Sequence, residues 1–403
     1  MRFFSVLTAV SLSLTGLVFA APTTLKSVER YQGEVSGKYI VKFKPGVSPA
    51  SWITNLKADL TTADLEIING IAVNVDQNTL NTLRASDDVE SISEDGIMHA
   101  FAAQTNAPWG LQRISQSAKI ASTDTAALNY RYEYDDSAGE GVDIYIVGRY
   151  WCIGISLNSV AERAGELLSS EREQEFLITK GTAQPAEIRS TDGHGHGTHC
   201  AGTAAGSQFG VAKKANIIAV QVLNSSGSGA TSGIVSGLNW VLTQARASGR
   251  PSVVSMSLGG AAASALDSAV SALTAAGVHV VVAAGNANVN AQNTSPARAP
   301  SAITVAASTI ADAKASFSNF GTVIDVWGPG ANVISSWIGS NTATRSISGT
   351  SMATPHVAGV VAYLIGKDGN VSPSAMEAKI KNLSTKNALT GVPSGTVNQL
   401  LHI

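Results

Sequence analysis

Residues 345–360 read RSISGTSMATPHVAGV, and the rest of the chain is best understood outward from them. Ser351 follows Gly349 and Thr350 and precedes a helical run over residues 352–365. A serine at a helix N-terminus stands where backbone N–H groups and the positive end of the helix dipole point. That placement suits a group that develops negative charge during a reaction. It is also the ordinary position of an N-cap, so the segment needs partners before it means chemistry. Pro355 is tolerable near a first turn but not in mid-helix.

Two upstream segments supply candidate partners. Residues 192–202, DGHGHGTHCAG, put His194, His196 and His199 within six residues and follow them with Cys200. The spacing H-x-H-x-x-H is compatible with a metal site. It is equally compatible with one catalytic histidine and another packed in the core. Residues 281–286, VVAAGN, read as a strand ending at Asn286, whose amide either faces a crevice or closes a turn.

The texture around these motifs predicts the architecture. Short β-branched runs at 142–147, 217–222, 253–257, 278–283 and 303–306 alternate with Ala/Gly-rich stretches of helical spacing at 229–247 and 262–276. Such alternation predicts an α/β fold, with a mostly parallel sheet covered by helices on both faces. In open α/β sheets the chemistry gathers at the C-terminal ends of the strands.

Residues 22–101 differ, with 7 Lys+Arg against 11 Asp+Glu. The order is strand (38–43), helix (48–60, opened by an N-cap at Ser48 and Pro49), strand (70–75), helix (78–85) and strand (89–93). This predicts a small α+β unit of ferredoxin-like type. Residues 1–20 combine Arg2, an apolar run and Val18-Phe19-Ala20, the pattern of a signal peptide and its cleavage site. A buried N-terminal helix is the competing reading. A membrane anchor would need a basic stop-transfer cluster after Ala21, and none follows. In a secreted chain Asn224, Asn293 and Asn382 head glycan acceptor triplets.

Composition bounds the function. The 403 residues carry 27 Lys+Arg and 29 Asp+Glu, a net charge of −2, so there is no strong field to attract nucleic acid or an anionic membrane. With 44% hydrophobic residues, the bulk of the chain is not disordered. Two cysteines exclude a disulfide scaffold and a four-cysteine metal ribbon.

Taken together, the three motif segments resemble the subtilisin-like serine proteases, most closely the secreted fungal proteinase K-type branch. The resemblance runs from Ala102 to the C-terminus. It implies a peptidase domain over 102–403, preceded by an inhibitory, chaperone-like propeptide over 21–101. Residues 103–111, AQTNAPWGL, look like a mature N-terminus of that branch. By motif, His196 would be the general base, Ser351 the nucleophile and Asn286 the side-chain oxyanion donor. Ser257, Leu258, Gly259 and Gly260 would line the S1 pocket and pair with substrate backbone. Gly227, Ser228 and Gly229 would form the opposite edge strand. The small uncharged lining implies an apolar or aromatic P1 residue and broad specificity. The resemblance also implies a structural calcium ion held by Asp325 and the carbonyls of Pro300 and Ala302, hard oxygen ligands that suit Ca²⁺. The expected partners are peptide substrates and the chain's own propeptide. The expected state is a secreted, extracellular monomer.

The chain departs from that family in one region. The family places its catalytic Asp directly after a strand like residues 142–147, and here the position is Gly148. Asp143 lies within that strand, and Asp192 belongs to the histidine motif. Residues 149–190 hold 11 charged residues in 42, against 14% for the whole chain. They are read as a retained intron or frame-shifted exon, with a surface insertion as the alternative. Two competing classes stay open. One is an inactive, peptide-binding relative, favoured by Gly148. The other is a metal-dependent hydrolase built on His194, His196 and His199. Cys200 is expected to be a buried thiol, a disulfide to Cys152 being the alternative.

Overall fold

The computed structural model describes residues 25–31, 35–56, 63–96, 101–148, 192, 194–224 and 226–403. The expected signal segment over 1–20 and the charged run 149–190 with Cys152 lie outside the described residues. The chain divides into two compact units, Met1–Met98 and His99–Ile403.

In the first unit a five-stranded sheet carries two helices. Its elements are β1 (Val28–Glu29), β2 (Val35–Phe43), α1 (Pro49–Asn55), β3 (Ala63–Leu65), β4 (Gly70–Val73), α2 (Gln77–Ala85) and β5 (Val89–Gly96). The sheet order is β1-β5-β2-β4-β3, with β2 antiparallel to both β4 and β5. The alternate residues Val41 and Phe43 of β2 and Ile71 and Val73 of β4, with Val89 and Ile92 of β5, meet Leu80 and Leu83 of α2 in one small core. This is the period-two pattern of a sheet with one buried face. The Asp76 carboxylate caps α2 by accepting the Thr79 N–H at 2.8 Å. Ser48 occupies the N-cap position of α1 as expected, but its hydroxyl makes no capping bond. Pro49 at the first position supplies the helical φ by itself.

The second unit opens with a ribbon, β6 (Phe101–Ala107) against β7 (Tyr130–Asp135), joined through α3 (Trp109–Ile114). There follow β8 (Asp143–Gly148), α4 (His196–Ala205), β9 (Asn216–Gln221), α5 (Thr231–Ser248), β10 (Ser252–Met256), β11 (Gly260–Ala261), α6 (Ser264–Ala275), β12 (His279–Ala283), β13 (Thr294–Ser295) and β14 (Ile303–Ser308). The chain ends with β15 (Val326–Pro329), β16 (Val333–Ser336), β17 (Thr344–Ile347), α7 (Thr350–Asp368), α8 (Pro373–Leu383), β18 (Thr385–Lys386) and β19 (Gln399–Leu400).

The main sheet has the order β18-β19-β15-β14-β12-β10-β8-β9, and every pair from β19 to β9 is parallel. The alternation along its strands sorts the helices onto two faces. Ile144, Ile146, Val253, Val281 and Val305 face α4 and α7, which bring Ala201, Ala204, Val357 and Val361. Tyr145, Val147, Val254, Met256, Val280 and Val282 face α5 and α6, which bring Leu238, Val241, Val270 and Leu273. Strands buried on both sides must be apolar throughout, which explains the β-branched runs in the sequence. The expected fold class is the observed one.

Strand order reverses at β8. The chain passes from β8 outward to β9, then returns to lay β10 on the other side of β8. Loops leaving the C-terminal ends on either side of such a reversal part and leave a crevice.

One buried ion pair ties α3 to the segment between β14 and β15. The Arg113 guanidinium donates from Nε to Asp312 Oδ1 at 2.8 Å and from a terminal nitrogen to Oδ2 at 3.1 Å, and both residues are buried. Removing the carboxylate leaves a buried cation without its partner, a cost of about 3–5 kcal/mol. Asp312→Ala is therefore expected to lower the thermal midpoint by about 6 °C or more. Asp312→Asn, which keeps the shape and half the acceptors, should fall between it and the parent. Equal midpoints for Asp312→Ala and the parent in thermal denaturation would show that the pair contributes nothing.

Candidate active site

Every candidate residue of the cleft lies on or just beyond the C-terminal end of a parallel strand or at the start of a helix. Gly148 ends β8, residues 227–229 follow β9, Ser257 follows β10, Asn286 follows β12, and His196 and Ser351 open α4 and α7.

His196 is positioned by its own loop. Asp192 Oδ1 accepts the N–H groups of His194 and Gly195, each at 2.8 Å. Its Oδ2 accepts the Thr198 hydroxyl at 2.8 Å and the Thr198 N–H at 3.2 Å. Asp192 is buried and spends both oxygens on holding the turn. Gly195, the cap of α4, has φ +90°, and a Cβ there would stand 2.5 Å from the Trp337 ring. Only glycine meets both demands. Trp337 also lies beside His194 and His199, at ring separations of 6.4 and 6.2 Å, with the Arg345 guanidinium 4.7 Å from its centroid.

The three histidines do not converge on one point. His199 is buried, and its Nε2–H donates to the carbonyls of Val333 and Arg345 at 3.0 and 3.1 Å. Burial pushes its pKa down to about 4, so the imidazole is neutral. It is a tie between α4 and the β16–β17 hairpin. Among the described residues no three His, Cys, Asp or Glu side chains gather as a metal-holding group. The metal reading of His194, His196 and His199 is corrected accordingly: the His199 ring is turned to the hairpin carbonyls through its Nε2–H, and the three rings form no metal-holding group among the described residues.

The His196 and Ser351 segments meet around Cys200. Its sulfur lies 3.9 Å from His196 Nδ1 and donates to the Ser351 carbonyl at 3.4 Å. Cys200 is a buried free thiol, and burial pushes it up to about 12, so it carries no charge beside the imidazole. Ser257 Oγ–H donates to the same Ser351 carbonyl at 2.9 Å. That carbonyl is open to them because the residue four positions on is Pro355, which has no N–H to return to it. Pro355 lies within α7, one turn deeper than the sequence argument allows, and Ser257 and Cys200 replace its missing helical bond.

Asn286 is oriented without ambiguity. Its Oδ1 accepts the Thr350 N–H at 2.8 Å and the Thr350 hydroxyl at 2.9 Å. A backbone N–H can only donate, so the oxygen is the atom facing Thr350. The Nδ2 group stands 3.6 Å from where a Cβ of Gly349, two residues before Ser351, would lie. The Thr350 hydroxyl in turn accepts the Gly285 N–H at 3.2 Å. Gly285 has φ +103°, and a Cβ there would stand 2.4 Å from the Asn319 amide. Asn319 braces the loop from below, accepting the N–H groups of Ala287 and Val289, each at 3.1 Å. Thr350 and Asn319 are thus parts of the site that no motif reading singled out.

Two cavities share the wall Leu258, Gly259, Gly260 and Ala261. One, about 370 Å³, reaches Asn286 and Ser351 and has no charged side chain in its lining. The other, about 680 Å³, reaches His196, Ser257, Gly227, Ser228 and Gly229. Residues 227–229 are a loop and not the expected strand. Asn224 Oδ1 pins it by accepting the Ser228 N–H at 3.0 Å.

Neither Asp143 nor position 148 gives this cleft a carboxylate. Asp143 is buried at the opposite end of β8 and accepts from Arg250 Nε at 2.8 Å and Asn216 Nδ2 at 3.0 Å. Gly148 offers no side chain; its carbonyl accepts the N–H groups of Val222 and Leu223. Among the described residues nothing stands within 4 Å of where its Cβ would be.

The expected calcium ligands do not fit a cation. Asp325 Oδ2 accepts the Thr304 N–H at 2.8 Å, and its Oδ1 lies 2.7 Å from the Lys381 ammonium. An ammonium already takes the Asp325 oxygen that, with the carbonyls of Pro300 and Ala302, was expected to bind a metal ion.

Comparison with known proteins agrees with this geometry. The subtilase family, Peptidase S8, matches residues 102–398. A cuticle-degrading protease of Metarhizium anisopliae is 41% identical over 97% of this chain and 98% of its own length. Proteinase R of Parengyodontium album is 41% identical over 92% of this chain and 90% of its own. The crystal structure of a cold-adapted subtilisin-like serine proteinase superposes with a TM-score of 0.59 at 38% identity, covering 74% of this chain and 98% of that one. The chain belongs to the subtilase family of serine endopeptidases.

Proposed function

We propose that Ser351 is the nucleophile and His196 the general base of a secreted endopeptidase that forms an acyl-enzyme. The observation that carries this reading is the fixed amide of Asn286. With its oxygen bound to Thr350, its Nδ2–H₂ is the face left for the cavity that Ser351 borders. A serine hydroxyl is a weak nucleophile until a neighbouring imidazole takes its proton. Attack on a peptide carbonyl puts negative charge on its oxygen. The Asn286 amide and the Ser351 backbone N–H at the start of α7 are donors for that charge, and they need no rearrangement to act. His196 then returns the proton to the leaving amine.

Substrate backbone would lie between residues 227–229 and Ser257, Leu258, Gly259 and Gly260. The uncharged 370 Å³ cavity suits an apolar or aromatic P1 side chain and favours broad specificity. Residues 21–101 are proposed as the propeptide, released by cleavage near Phe101 or Ala102. Residues 1–20 are proposed as the secretion signal. No helix among the described residues is long and apolar enough to cross a membrane. The reading includes a monomeric mature enzyme.

A fluorophosphonate that labels serine hydrolases is expected to modify the purified chain at Ser351 alone, as peptide mass mapping would show. Ser351→Ala should abolish labelling and lower kcat by about 10², because in subtilisin itself loss of the serine costs about 10⁶ in all and a chain without the triad Asp has already lost about 10⁴ of it. A folded parent chain that takes no label would favour the second reading, a peptide-binding relative without turnover, which the glycine at position 148 supports. Asn286→Ala should lower kcat by about 10²–10³ with little change in KM, again the range known for this family's oxyanion donor. A matching rise in KM at constant kcat would assign Asn286 to ground-state binding.

A further inference from the structure

The Asp325 cluster, remote in role from the cleft, has a chemistry of its own. Asp325 sits at the entry to β15 and is clasped to β14 twice. Its N–H donates to the Thr304 carbonyl at 2.9 Å, and its Oδ2 accepts the Thr304 N–H at 2.8 Å. The remaining oxygen meets Lys381 Nζ at 2.7 Å. Lys381 stands in the last turn of α8, and one helical turn earlier Glu377 holds the same ammonium at 2.5 Å. The three side chains are only 16%, 32% and 24% exposed for Asp325, Lys381 and Glu377. A second ammonium, Lys386 Nζ in β18, donates to the Lys381 backbone carbonyl.

The charge balance is decisive. Two carboxylates share one ammonium, with another cation close by. A calcium ion needs six to eight oxygens at about 2.3–2.6 Å. The Asp325 oxygen it would take is the one bound to Lys381. A divalent ion seated there would either displace the lysine or lie against its charge. Without the lysine, Asp325 and Glu377 would form a partly buried pair of negative charges beside the main sheet, which is an arrangement that attracts a hard cation.

We propose that Lys381 is this chain's built-in counter-cation for Asp325: it takes the place of a calcium ion and locks α8 onto the start of the β14–β15 pair. Metal-ion dependence at this corner is thereby exchanged for a covalently attached charge.

Calcium titration calorimetry and thermal denaturation of the full chain, parent and Lys381→Ala, test this. Lys381→Ala is expected to bind one calcium ion more than the parent. In chelator its midpoint should fall by about 3 °C or more, and added calcium should restore it. The parent's midpoint should not respond at this site, so the double variant Lys381→Ala/Asp325→Asn should lose the added calcium ion. Lys381→Gln, close in size and neutral, repeats the comparison if the alanine leaves too little folded protein. Equal calcium stoichiometry in the parent and both neutral variants would overturn the proposal. So would a midpoint for Lys381→Ala in chelator equal to that of the parent.

Discussion

The cleft is organised by an acceptor that its own helix leaves without a donor. Pro355 cannot return an N–H to the Ser351 carbonyl, and a buried carbonyl without a partner costs free energy. Ser257 and Cys200 supply the missing donors from two other segments. Three parts of the chain therefore meet at one oxygen: the start of α7, the end of β10 and the first turns of α4. Ser351, the wall of the substrate cavities and the His196 segment are aligned by the same small group of bonds. Thr350 does the equivalent on the other side, where one hydroxyl joins Gly285 to the Asn286 amide.

These contacts are within reach because the sheet brings their strands side by side. Residues that follow β9, β10 and β12 emerge on one edge, and the reversal at β8 opens the space between them. Helix α7, buried from Met352 to Ile365, delivers Ser351 to that edge from one face of the sheet. The helix is apolar on all sides because it is surrounded by α4 and the strands, and not because it is amphipathic.

Much of this was legible in the linear chain, and what escaped had a common cause. Five strands of the main sheet, β8, β9, β10, β12 and β14, are marked by β-branched runs within a residue or two, whereas β15 and the short strands β18 and β19 carry no such run. His196, Ser351 and Asn286 stood in motifs whose residue types were themselves the chemistry. The β16–β17 hairpin was missed because its residues are largely polar and lack a period-two apolar pattern. Trp337 and Gly195 are coupled across 142 positions (337 − 195), and Lys381 reaches Asp325 across 56 (381 − 325). Spacing along a chain carries no record of such meetings. Asp325 therefore read as a metal ligand by motif, while the side chain that claims it lay in a helix whose existence the sequence reading did not anticipate.

The order of the main sheet also governs time. Asp143 of β8 pairs with Ser252 of β10, and Trp327 of β15 pairs with Leu400 of β19. Almost no neighbouring strands are joined by a tight turn, so long loops must close before any pairing is rewarded, and folding by such a route is slow. The reverse passage must break the same long-range contacts together. A protein built this way owes its persistence to the height of its unfolding barrier as much as to the depth of its native well. For a chain whose neighbours in solution are copies of a peptidase, a rarely opened backbone is itself a defence against digestion.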